Sequence, residues 1–124
     1  MRKKKKGGYQ RIRCVQPSYF DVDRTLLMWG YSTKPGSNTV PITCEGRTFH
    51  LVPHKKHIEQ IKAHWARGMT VIVWSAGGDQ WADAVVRSLG LTKYVTLALA
   101  KPKWCFDDQP VEKYMPPSDF IKDE

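Results

Sequence analysis

The sequence predicts an α/β fold with a mostly parallel sheet in three layers, and three observations carry that reading. Residues 69–74, Met-Thr-Val-Ile-Val-Trp, form a continuous apolar run rich in β-branched side chains, the pattern of a central strand buried on both faces. The stretches 53–67 and 79–89 flank that run and place their apolar residues at helical spacing. A second apolar approach, residues 12–20, ends at Asp21. Strands and helices thus alternate in the way that right-handed crossovers in one sheet require.

The chain has 124 residues, of which 41% are hydrophobic, enough for one domain with a real core. The formal charge of +8 is concentrated: residues 1–13 hold seven basic side chains and no acid, which leaves +1 for the rest. Residues 1–13 therefore read as a solvated, flexible basic head, suited to a tether or a weak polyanion contact, and residues 14–124 as a single domain. Cys14, Cys44 and Cys105 are odd in number and form no Cys-x-x-Cys pair. They suit neither a disulfide framework nor a zinc knuckle, and a reducing cytoplasm is the expected compartment. No apolar run approaches the roughly 20 residues that span a bilayer, so no membrane partner is expected.

Taken in order, Pro17 sets the start of the first regular strand within 12–20. Residues 26–31 stay apolar, and 32–38 are rich in Ser, Pro, Gly and Asn and read as a loop. Segments 39–44 and 48–52 face each other across Glu45-Gly46-Arg47, a hairpin signal. That hairpin, about 39–52, is either a flap over the site or an ordinary edge hairpin. The helix over 53–67 carries Ile58, Ile61 and Trp65 on one face and ends at Gly68. After the 69–74 strand, Ser75-Ala76-Gly77-Gly78 is a tight loop. Asp79 caps a helix whose stripe is Trp81, Val85, Val86 and Leu89. Two short strands are expected at 94–99 and 103–106, the second ending in Asp107-Asp108, followed by a tail with Pro110, Pro116 and Pro117.

Ligands of parallel α/β sheets bind beyond the carboxyl ends of the strands. Asp21, Asp23, Ser75, Lys101, Asp107 and Asp108 all fall at or just past predicted strand ends. If the chain is extended through Asp23, Asp21 and Asp23 share one side while Phe20 and Val22 face the other. Two carboxylates so placed ask for a cation or for one of them to keep a proton. A strand running into an acidic turn is the plainer reading of the same residues.

The segment Asp21-Val-Asp23-Arg-Thr25 resembles the first motif, Asp-x-Asp-x-Thr, of the haloacid dehalogenase-like phosphatase superfamily. Ser75 before Gly77-Gly78, a lysine at Lys101 or Lys103, and Asp107-Asp108 after Trp-Cys-Phe resemble its remaining motifs, in order, over about residues 15–110. The resemblance implies a Rossmann-like fold and a phosphatase. Asp21 would be the nucleophile that forms an aspartyl-phosphate, and Asp23 the acid and base. Ser75, the backbone at Ala76, and Thr25 would bind the phosphoryl group, with Lys101, preferred to Lys103, paired to it and to the nucleophile. It also implies Mg²⁺, held by Asp21, the carbonyl of Asp23, Asp107 and Asp108, with Asp107 favoured as the direct ligand. Arg24 departs from the Gly that many members carry, and as a cation beside the nucleophile would touch substrate or lean on Asp108. With no large insertion there is no cap domain, and the compact form looks most like capless members encoded by bacteriophages.

An open site and a basic head favour nucleotides or polynucleotide ends as substrates of a monomer or weak dimer. The alternative is a noncatalytic module of the same fold that binds nucleic acid through its head. His50, His54, His57 and His64 lack a Cys or carboxylate that would complete a zinc motif, and read as surface or helix-start histidines. Of the five Trp, only Trp29, near the hairpin, is expected to meet substrate.

Overall fold

The structure is a computed structural model that describes residues 16–29 and 38–122. The basic head, Cys14 and most of the 32–38 loop lie outside the described residues. Pro17–Asp21 forms strand β1, and Leu27–Met28 a short β2. Val40–Cys44 and Arg47–Pro53 form β3 and β4, Lys55–Ala66 helix α1, and Thr70–Ser75 strand β5. Asp79–Ser88 forms helix α2 and Leu97–Ala100 strand β6.

The result is a small α/β protein with a parallel sheet, ordered β1-β5-β6, and a separate antiparallel sheet, ordered β2-β4-β3. In the parallel sheet Asp21 lies opposite Trp74, and Ser75 opposite Ala100, so β1, β5 and β6 finish at one end. β5 is the middle strand, and Val71, Ile72 and Val73 are all buried, as the apolar run requires. Pro17 is tolerated at the start of β1 because that strand is an edge.

Alternation along the strands sorts the side chains by face. Val71 and Val73, with Phe20 and Ala98, join one core with Ile61 of α1 and with Ala82, Val85 and Val86 of α2. Both helices therefore cover the same face. The opposite face carries Tyr19, Ile72, Trp74, Leu97 and Leu99. It is only partly covered: Tyr19 is 44% exposed and Leu97 49%. Among the described residues the sheet and its helices make two layers, and the expected third layer would lie on this second face.

Glu45 and Gly46 both have positive φ, 53° and 78°, and link Cys44 to Arg47 as a two-residue hairpin turn whose twist matches the strands. The hairpin is docked: Ile42 and Leu51 are buried in the common core, and β3 packs on α2. On the face of α1 that also carries Ile61, His64 packs on Phe20 with ring centroids 5.5 Å apart. Burial, aided by Arg67, holds the His64 imidazole below its ordinary pKa.

The strand expected at 103–106 does not form. That stretch has no ladder partner, and Trp104 and Phe106 are 82% and 97% exposed. A strand exists only through its pairing, and an apolar triplet without a neighbour stays irregular. Among the described residues, no helix is long and apolar enough to cross a membrane.

Candidate active site

β1 stops at Asp21, and the chain folds into a turn in which the carbonyl of Val22 accepts from the N–H groups of Thr25, Leu26 and Leu27 at 3.1, 2.8 and 3.2 Å. Val22, Leu26 and Leu27 are fully buried, so the turn is pinned from below. Asp23 thus lies in the turn and not in the strand, where a bridge to Leu27 holds it. The two carboxylates acquire different partners.

Asp21 is tied at both oxygens. Thr25 Oγ1 donates to Oδ2 at 3.0 Å, and the Lys101 ammonium lies 3.0 Å from Oδ1. The side chains of Lys101 and Asp21 remain 37% and 32% exposed, so the pair is open to a ligand. Lys101 reaches this position because its backbone N–H extends the β5 to β6 pairing, donating to the Ser75 carbonyl at 2.9 Å.

Three donors converge on Asp23. The indole N–H groups of Trp29 and Trp81 donate to Oδ1 at 2.7 and 3.3 Å, and the Ser75 hydroxyl to Oδ2 at 3.4 Å. They come from the end of β2, from α2 and from the end of β5. Ser75 is fully buried, and its oxygen also accepts from the Gly77 N–H at 2.9 Å. A Cβ at Gly77 would sit 3.2 Å from Trp81 Cδ1 and 3.3 Å from Ser75 Oγ, so a larger residue would press on the indole and the hydroxyl and one of them would have to shift by a few tenths of an ångström. Ala76 is exposed on the same loop.

A second row of contacts braces the turn. His57 Nε2 accepts from the N–H of Ile121 at 2.9 Å, which places the ring proton on Nδ1. Nδ1 then donates to the Thr25 carbonyl at 2.8 Å. His54 caps α1 by accepting from the His57 N–H at 3.1 Å, and its ring stacks on that of His57 at 3.7 Å with Phe120 edge-on to both. Both histidines stand at the start of α1, one of the two placements the sequence suggested, but they are buried, at 2% and 4% exposure, and not at the surface. The Thr25 and Ile121 partners of His57 lie far off in the chain, where local patterning does not reach. Trp81, read from the sequence as part of the apolar stripe of its helix, is likewise at the site. Its signal was the position one turn beyond the loop that opens α2.

Asp107 and Asp108 are not brought to this cluster. Asp107 Oδ1 accepts from the Gln109 N–H at 2.9 Å in an exposed turn. Among the described residues no group of three or more His, Cys, Asp or Glu could hold a metal ion. Lys103 is exposed and Lys101 is the lysine at Asp21. Arg24 is exposed and has φ 66°, a left-handed conformation that costs a non-glycine residue about 1 kcal/mol or more. Arg24→Gly is expected to keep or raise the melting temperature and Arg24→Val to lower it, as thermal denaturation of the two variants would show.

No protein-family model matches the chain, and comparison with curated proteins and with solved structures returns no match.

Proposed function

We propose that the protein hydrolyses phosphoric monoesters through Asp21. The observation that carries this reading is the half-open carboxylate at the end of β1, held at one oxygen by Thr25 and at the other by Lys101. An anchored carboxylate is a competent covalent nucleophile. Asp21 attacks phosphorus while the bond from phosphorus to the ester oxygen breaks, giving an aspartyl-phosphate. The departing oxygen takes a proton from Asp23. Water then attacks the phosphoenzyme, its proton passes to Asp23, and inorganic phosphate leaves with Asp21 restored. Lys101 offsets charge on the phosphoryl oxygens, and Thr25 and the backbone N–H of Ala76 are the donors this reading assigns to them, since the N–H groups of Gly77 and Gly78 already bond to Ser75.

Magnesium belongs to the resemblance, and the arrangement described does not fit it. Both carboxylate oxygens of Asp21 face protein donors, and among the described residues Asp107 and Asp108 form no metal-holding group with it. No step above runs through the ion. For Mg²⁺ to act as the resemblance implies, the stretch that carries Asp107 and Asp108 must move toward Asp21, where Lys101 already lies. The three-layer, Rossmann-like sheet belongs to the same proposal, with the partly covered face of Tyr19 and Leu97 as the surface for its third layer.

The test is phosphate release from an aryl phosphate, for the native chain and Asp21→Asn, with Mg²⁺ and with a chelator. Release that disappears in Asp21→Asn supports the reading, and equal release from both proteins overturns it. Loss in chelator alone would bring Asp107 and Asp108 into the working site.

A further inference from the structure

Between the hairpin and α2 lies an open cavity of about 360 Å³, within the range of small-molecule sites. Trp29, Phe49 and Trp81 form its walls, with ring centroids 5.5 to 6.1 Å apart. Asp23 lines it as well, so the cavity opens on the carboxylate that the proposed reaction uses to protonate the leaving group. Arg47 lines it with its guanidinium 5.1 Å from the Phe49 ring, and Gln80 adds an amide that both donates and accepts.

We infer that this cavity seats a nucleobase. The inference rests on the phosphatase reading only in taking Asp23 as the end of the cavity nearest the phosphoryl group. The group joined to the ester oxygen has to leave past Asp23, and the space beyond it is walled by aromatic rings. Arg47 and Gln80 offer polar groups that an aliphatic alcohol would not use, and the aromatic rings offer a flat apolar surface that a planar ring covers more fully than a sugar does. A flat heteroaromatic ring meets both demands: its face stacks on the aromatic walls, and its edge nitrogens and oxygens pair with the amide and the guanidinium. Both indole N–H groups are turned to Asp23, which fixes the orientation of the two Trp rings before any ligand arrives. The substrate class is therefore a nucleotide, free or at the end of a nucleic acid.

Two measurements separate this inference from the reading beneath it. The first is calorimetric titration of full-length Asp21→Asn protein with adenosine, cytidine and ribose, which requires no turnover. Both nucleosides should bind and ribose should not, and Phe49→Leu in the same background should weaken nucleoside binding by about tenfold. Arg47→Ala and Gln80→Ala, both at exposed positions, supply the same comparison should Phe49→Leu fail to fold. The second is kcat/KM of the native chain for adenosine 5′-monophosphate against ribose 5-phosphate, with an expected preference of about tenfold that collapses in Phe49→Leu.

Nucleoside binding without phosphate release would leave the base site standing and remove the phosphatase. Release without preference, together with absent nucleoside binding, would overturn the base site and leave the phosphatase. A 5′-phosphorylated tetranucleotide run beside the mononucleotide assigns the source: faster release from the tetranucleotide points to chain ends, and faster release from the mononucleotide to free nucleotide. Either order supports the base site.

Discussion

Asp23→Asn is expected to cut phosphate release from an alkyl ester by about 10²- to 10⁴-fold, the usual worth of a positioned general acid. Release of the leaving group from an activated aryl phosphate should fall far less, because a phenolate of low basicity departs without a proton. In the proposed reaction the second half also uses this carboxylate, to draw a proton from water. The aspartyl-phosphate should therefore accumulate in the variant and be recovered by acid quenching during turnover of the aryl ester. Asp21→Asn should show no phosphoenzyme on either ester. An equal loss on both esters, with no trapped intermediate, would make Asp23 a residue that only holds the turn. Its three donors make that outcome readable: Asn keeps one carbonyl oxygen to accept from an indole, so the local packing is disturbed little.

The second large effect is on stability. Leu26 is fully buried beneath the turn that carries both carboxylates, and its backbone is bonded at both ends, N–H to Val22 and carbonyl from His54, each at 2.8 Å. Leu26→Ala leaves that backbone frame in place and empties the space under it. The cost should be about 2–5 kcal/mol, seen as a fall of on the order of 10–20 °C in melting temperature. Leu97→Ala, on the partly covered face of the sheet, should change stability by only about 0.5 kcal/mol. Comparing the two by chemical denaturation also tests the two-layer description. A Leu97→Ala cost close to that of Leu26→Ala would mean that the second face is covered in solution.

The parts of the fold that were legible in the sequence are those written in local periodicity. Residues 69–74 read as a central strand and became β5. The stretches 53–67 and 79–89 read as helices and became α1 and α2, shorter by one or two residues at the ends. The hairpin about Glu45 and Gly46 was signalled by its turn chemistry. Convergence at strand ends placed Asp21, Asp23, Ser75 and Lys101 in one region, and the structure joins them through Thr25, Lys101 and Ser75 contacts.

What escaped the sequence depends on partners distant in the chain. Trp81 meets Asp23 across 58 residues, and His57 meets Thr25 across 32. Neither contact alters a hydrophobic pattern. The 103–106 stretch failed for the opposite reason. Its apolar residues match a strand locally, but among the described residues nothing pairs with it, so Asp107 and Asp108 are left in an exposed turn.

The brace on Thr25 also divides the chain by origin. The bonds from Thr25 to Asp21 and from Trp29 to Asp23 join residues 4 and 6 apart, whereas the N–H that sets the His57 tautomer comes from Ile121, 64 residues after His57. Thr25, Trp29, Ser75, Trp81 and Lys101, the groups bonded to the two carboxylates, all precede that segment. The stretch around Ile121 therefore acts on the carboxylates at one remove, through the His57 ring and the Thr25 carbonyl.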